Sequence, residues 1–300
     1  MQIPSTLILM ATFLAGSGAS TAKTQPSAGQ IDPLLGRVVA QCRKGNGEKA
    51  VWIFKQWHLA PSTMTQDQNA SGKLPQAKNQ AALYQQLDRW VSSGFLKEII
   101  VEGCSGELSQ NSTTKFNGWD ISSLKKETEK KSYASILSHI GLKLEAKHAD
   151  KITTLCGDED ALVKEANLAF SDARGTLGFL SRLDQHKNNP ARAQVYLEGA
   201  REAFGLPKSA SYSEVERRLK QELKEAVTRI EASSEKRNRL AISKLKHATS
   251  RNVALLYGGS HGAGIKKLLE EEKLDCNIVE PIGYVDDEEE LFKKLNAFTK

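Results

Sequence analysis

Asn252-Val253-Ala254-Leu255-Leu256-Tyr257-Gly258-Gly259-Ser260-His261-Gly262-Ala263-Gly264 is the stretch that decides the fold. Residues 252–258 make an apolar run of strand length, the pattern of a strand buried on both faces. Glycines then let the backbone turn tightly, and the segment from Gly264 to Lys273 predicts a helix. A buried strand that turns directly into a helix is the repeating unit of a parallel α/β sheet.

The same pattern recurs on either side of this stretch. A first strand over 50–58 carries Val51-Trp52-Ile53-Phe54 and reaches His58. A second over 98–103 carries Ile99-Ile100-Val101 and reaches Glu102, and a third over 152–157 runs into Asp158. The quoted run is the fourth, and a fifth lies near 277–280. Helices are expected from about 79 to 92, where Ala82, Leu83, Leu87, Trp90 and Val91 keep helical spacing, from 132 to 147, and from 287 onward. The order implies an α/β fold: a mainly parallel sheet with flanking helices and right-handed crossovers. From 159 to 248 the alternation stops and the pattern is helical, broken near Asn188-Asn189-Pro190 and Gly205-Leu206-Pro207. This reads as a helical insertion over about 160–249, between strands three and four, capping the site. Ligands and chemistry gather beyond the carboxyl ends of such strands. His58, Glu102, Asp158 and His261 therefore predict one crevice, and an enzyme is the first expectation.

The N-terminal residues read differently. Leu7 to Gly16 is apolar but too short to span a bilayer. Small residues follow, with a cleavage site after Ala22, so 1–22 is expected to be a signal peptide and 23–49 a leader ahead of one domain, 50–300. Ser17 stands where a lipoprotein signal needs Cys. The expectation is a secreted or periplasmic protein without a stable membrane anchor. Net charge is +6, and Lys125, Lys126, Lys130 and Lys131 are interleaved with Glu127 and Glu129 rather than with aromatics. No nucleic-acid partner is expected. Cys42, Cys104, Cys156 and Cys276 lack the spacing of a structural zinc site. In an oxidising compartment they can pair in three ways or stay reduced.

One stripe in the helical segment carries an anomaly. Val215, Leu219, Leu223, Val227, Ile230, Ala241, Leu245 and Ala248 recur at steps of three and four, and Ser234 and Arg237 fall on the same stripe. An unbroken helix aims Arg237 inward, where a guanidinium needs an anionic partner. A break at Ala232-Ser233-Ser234 turns it to solvent instead.

His58, Glu102 and His261 together form a set of two imidazoles and a carboxylate, which suits a divalent metal with an open position. Without a metal, a His general base can activate water while the Glu orients it. Arg237 can stabilise developing oxyanion charge in either scheme. Asp158 serves equally as a helix cap or as part of the site. Ser260 beside His261 does not form a nucleophile elbow.

The order of strand-end His, strand-end Glu, helical Arg-Asn and Gly-x-x-His turn resembles the TraB/PrgY/Tiki superfamily, with its erythromycin-esterase-like and ChaN-like relatives. The segments that carry the resemblance are Ile100-Val101-Glu102, Ser234-Glu235-Lys236-Arg237-Asn238 and Leu256 to Ile265. Two departures stand out: Lys55 occupies the position of the glycine in the family's first Gly-x-x-His motif, and Lys236 separates Glu235 from Arg237. The resemblance implies a hydrolase acting on a peptide or small-molecule ester. In it, His58, Glu102 and His261 serve as metal ligands (Mn, Co or Zn) or as base and carboxylate, and Arg237 serves as the anion-stabilising group. It equally implies an alternative, a ChaN-like protein that binds haem or another small ligand without catalysis.

Overall fold

The computed structural model describes residues 29–43, 45, 47–57, 75–106, 115–116, 119–120, 140–148, 150–286, 293, 295, 297 and 298. One six-stranded sheet contains β1 (Gly36–Cys42), β2 (Ala50–Gln56), β3 (Glu98–Val101), β6 (Thr153–Cys156), β7 (Asn252–Gly258) and β8 (Asp275–Pro281). A separate two-stranded ribbon pairs β4 (Lys115–Phe116) with β5 (Trp119–Asp120). The helices are α1 (Pro75–Ser92), α2 (Ile140–Lys147), α3 (Asp160–His186), α4 (Pro190–Ala203), α5 (Tyr212–His247) and α6 (His261–Glu271).

The strand order is β1-β8-β2-β7-β3-β6, parallel throughout except for β1, which runs antiparallel to β8. The expected α/β architecture is the observed one. β7 is central, and Val253 to Tyr257 are at most 1% exposed, because both faces of the sheet are covered. On one face Leu83, Leu87, Trp90 and Val91 of α1 and Ile140, Leu142 and Leu144 of α2 pack on Phe54, Ile99, Val101 and Leu256. On the other, Ala241, Ile242 and Leu245 of α5 and Ile265, Leu268 and Leu269 of α6 pack on Val51, Ile53, Ile100, Leu255 and Tyr257. The helices that follow β2 and β7 thus cover opposite faces, so a crevice opens at the carboxyl ends between these neighbouring strands.

β1 lies inside the segment expected to be a leader, which corrects that reading. Gly-Arg-Val-Val-Ala-Gln-Cys has no continuous apolar run, because an edge strand buries little, and its ladder is interrupted by an irregularity between Val38 and Ala40. Its partner β8 lies more than two hundred positions along the chain, out of reach of a local pattern. A disulfide joins Cys42 to Cys276, which face each other in the ladder, and a second joins Cys104 to Cys156.

Between β6 and β7 the chain is helical, as the sequence implies. α5 has 36 residues and is therefore about 54 Å long at 1.5 Å per residue. A capping box opens it, Ser211 accepting from the Glu214 N–H and Glu214 from the Ser211 N–H. At its other end Lys49 Nζ donates to the carbonyls of Leu245 (3.1 Å) and Ala248 (2.6 Å), beside the amino end of β2. α5 therefore runs antiparallel to the strands. Its N-terminal two-thirds pack with α3 and α4 in a core of their own, built from Ala169, Ala173, Leu183, Leu197, Val215, Leu219, Leu223 and Ile230. Arg237 lies between that segment and the residues from 241 to 245 that pack on the sheet, level with the strand ends. Among the described residues no helix is long and apolar enough to cross a membrane.

Candidate functional site

Glu102 is the first residue past β3. Side chains alternate along a strand, so Glu102 projects to the α5 face, as Ile100 does. Its N–H continues the ladder to the Leu256 carbonyl (3.0 Å), and its Oε2 accepts from the Gly258 N–H (2.5 Å) at the exit of β7. Asp158, just beyond β6, is 0% exposed. It is not the helix cap: Glu159 holds that position. Instead Asp158 Oδ2 accepts from the Gly103 N–H at 2.7 Å, and Gly103 adopts φ +86, a conformation glycine tolerates without strain. The Asp158 N–H donates to the Cys104 carbonyl and the Cys156 N–H to the Gly106 carbonyl. With the Cys104–Cys156 disulfide, these bonds tie the loop after β3 to the end of β6 and so fix the two carboxylates relative to each other.

Arg237 enters from α5, pointing inward. The helix is unbroken through Ala232-Ser233-Ser234, and the buried positions step through Ile230, Ser233, Arg237 and Ala241. Ser233, rather than Ser234, is the serine facing inward. The guanidinium donates from Nε to Asp158 Oδ1 (2.8 Å) and from Nη2 to Asp158 Oδ2 (2.8 Å) and Glu102 Oε1 (2.6 Å). The grip on Asp158 is a two-pronged, charge-assisted one. Burial opposes the charge on Arg237, but the Glu102 and Asp158 carboxylates outweigh it and hold the guanidinium above its ordinary pKa.

His261 opens α6 and is 5% exposed. Its Nδ1 lies 2.6 Å from Asn238 Oδ1. Its Nε2 lies 3.5 Å from both Glu102 Oε1 and Arg237 Nη1. Glu102, Arg237 and His261, all expected from the sequence, therefore come together, and Asp158 joins them as the principal counter-charge of Arg237. His58, expected as the fourth member, lies outside the described residues. The exit of β2 toward His58 is nonetheless well fixed. Asn79 Oδ1 of α1 accepts from the Trp57 N–H (3.0 Å), Gln80 Nε2 donates to the Trp57 carbonyl (2.8 Å), and Gln56 Nε2 donates to Gln80 Oε1 (2.9 Å).

Three further features surround these residues. Tyr257 is fully buried with its ring edge-on to His261 (5.5 Å), and its hydroxyl has no hydrogen-bond partner among the described residues. Burial, followed by the charges of Asp158 and Glu102, pushes its pKa well above the ordinary tyrosine value. Lys55 extends along the same face beside Gly262, 3.6 Å from Glu280 and over the Tyr284 ring. A cavity of about 330 Å³ between α5 and α6 is lined by Asn238, Ser260, Gly264 and Glu231 among others. None of Glu102, Asp158, Arg237 and His261 lines it, so it lies behind His261 rather than over Nε2.

No family model, curated protein or solved structure matches the chain. Function is therefore read from the residues.

Two of the three expected metal ligands have measurable geometry. Glu102 Oε1 and His261 Nε2 are 3.5 Å apart, a span that two ligands about 2 Å from one ion can bridge. The guanidinium of Arg237, however, lies 2.6 Å from that same Oε1 and 3.5 Å from that same Nε2. An ion bound there would share its carboxylate with a fixed positive charge and be repelled by it. Among the described residues no group of three or more His, Cys, Asp or Glu is arranged to hold a metal. As placed, the pair fits Arg237 better than a divalent ion.

Proposed function

We propose that the chain is an exported hydrolase that cleaves a peptide or ester bond with water activated by His261, without a resident metal. The observation that carries this reading is the meeting of His261 Nε2, Glu102 Oε1 and the Arg237 guanidinium, each delivered by a different element: Nε2 lies 3.5 Å from Oε1 and from Nη1, and Nη2 lies 2.6 Å from Oε1. A base, a carboxylate and a fixed cation around one point are the parts that water activation requires.

In this mechanism His261 Nε2 takes a proton from water as its oxygen bonds to the acyl carbon. The Arg237 Nη1–H groups face the oxyanion that develops. Glu102 stabilises the imidazolium through Oε1. The proton on Nε2 then passes to the leaving amine or alcohol as the acyl bond breaks. Asp158 touches no reacting atom: it anchors the guanidinium. Two disulfides support export, because they persist in oxidising compartments.

The test is hydrolysis of peptide and ester panels by wild type and His261→Ala, with and without chelator, alongside a haemin titration. The expected result is activity that survives chelation and falls about 10²-fold or more in the variant. Activity that disappears on chelation and returns with Mn, Co or Zn would replace this reading with the metal-dependent one. A haemin-induced Soret shift without hydrolysis would replace it with the haem-binding one.

A further inference from the structure

We infer that Asn238, seated on Gly264, is a positioning residue that fixes which nitrogen of His261 carries the proton. The inference rests on the hydrolytic reading, which needs a free lone pair on Nε2. Asn238 is 6% exposed, and its Oδ1 lies 2.6 Å from His261 Nδ1, the closest polar contact the imidazole makes among the described residues. A carbonyl oxygen can only accept, so Nδ1 carries the hydrogen. On the other side of the ring, Nε2 faces Arg237 Nη1 at 3.5 Å. Arginine can only donate, and a neutral ring with its hydrogen on Nε2 would set two donors against each other. Glu102 Oε1 stands at the same 3.5 Å from Nε2 but already accepts from Arg237 Nη2 at 2.6 Å. Asn238 Oδ1 and Arg237 Nη1 therefore select the same tautomer, with the Nε2 lone pair turned to the site.

Gly264 makes this arrangement possible. It lies three residues after His261 in α6, on the same helical face. A Cβ at position 264 would stand 2.4 Å from Asn238 Nδ2, so any other residue would push the amide off the ring. Glycine in a helix is less favourable than alanine, and the seating of Asn238 gives that cost a function. Arg237 and Asn238 are also consecutive in α5. One rigid element therefore delivers the cation to the carboxylates and the amide to the imidazole, so the counter-charge and the tautomer are set together.

Nitrogen NMR of protein labelled with ¹⁵N at the histidine rings reads the tautomer directly, whether or not a substrate is known. Wild-type His261 is expected as the Nδ1–H form, and Asn238→Asp, which keeps an acceptor oxygen, is expected to retain it. Asn238→Leu and Gly264→Ala are expected to lose it. On a hydrolysed substrate the latter two should drop kcat by about 10-fold or more with KM little changed, and Asn238→Asp should recover most of the loss. An Nε2–H form in wild type, or an Nδ1–H form kept by both Asn238→Leu and Gly264→Ala, would overturn the inference. Absence of hydrolysis in wild type would instead remove the proposed function, and the spectra would still decide the role of Asn238.

Discussion

A methyl group at Gly157 would stand 2.0 Å from the Tyr257 hydroxyl and 2.9 Å from its Cζ, so the tyrosine lies across the sheet in space that only glycine leaves open. Gly157→Ala is therefore expected to destabilise the fold by about 1–3 kcal/mol or more. Tyr257→Phe removes a buried hydroxyl that has no partner among the described residues, and it should be neutral or stabilising. The double variant should recover part of the Gly157→Ala loss, since Cζ remains close; denaturant unfolding of the three variants gives the coupling. Arg237 behaves in the opposite way. Its removal leaves Glu102 and Asp158 without their guanidinium, at a cost of about 3–5 kcal/mol for Arg237→Ala. Arg237→Lys should recover little of that, because an ammonium cannot reproduce the planar fork. Unfolding midpoints within experimental error of wild type would contradict this account of the site. In the sequence, Arg237 was legible because an arginine on an apolar stripe needs a partner. Asn238 enters the sequence pattern only as the neighbour of Arg237, and Tyr257 only as part of a strand, since neither a tautomer nor a seat on glycine leaves a pattern in one chain.

The helices and strands differ in how far local sequence determined them. β7, β2 and α5 are long and strongly patterned, and the sequence placed them well. β1 was missed because an exposed edge strand lacks the apolar run that marks a buried one, and its only partner is β8. The disulfides were undetermined for a related reason: pairing depends on which strand ends are neighbours, and strand order cannot be read from spacing. These two crosslinks have different roles. Cys42–Cys276 fastens the edge strand β1 to β8, whereas Cys104–Cys156 fastens the loop bearing Gly103 to the strand end bearing Asp158. Replacing either pair by serine should lower stability by about 2–5 kcal/mol. Activity per folded molecule, measured well below the unfolding transition, should fall for the Cys104/Cys156 pair and hold for the Cys42/Cys276 pair. Equal activity in the two variants would show that the disulfide beside Asp158 does not position the site.

At the scale of the molecule, acid should weaken the fold through contacts remote from the site. Burial pushes the Glu98 carboxyl up, but hydrogen bonds from Ser250 and Thr249 and the charge of Lys49 outweigh it and hold the pKa below the usual value of 4.5. Asp88 is similarly held below 3.8, burial being overcome by Lys147 and His148. A depressed folded pKa contributes stability that is fully present above the unfolded value and is lost as pH falls through the folded one. Thermal midpoints should therefore show no loss from these two groups between pH 5 and 7 and should decline below about pH 4.5. Glu98→Gln should flatten part of that decline. Glu98 holds the turn from α5 into β7 through the Thr249 and Ser250 N–H groups, so this outer contact supports the helix that carries Arg237 and the strand that leads to His261. On the proposed function, Glu102, Arg237 and His261 form a hydrolytic centre complete without a metal. The decisive measurement is hydrolysis by chelator-treated protein, wild type against Glu102→Gln. Turnover by wild type and a loss of about 10²-fold or more in the variant are expected; equal rates in the two proteins would rule such a centre out.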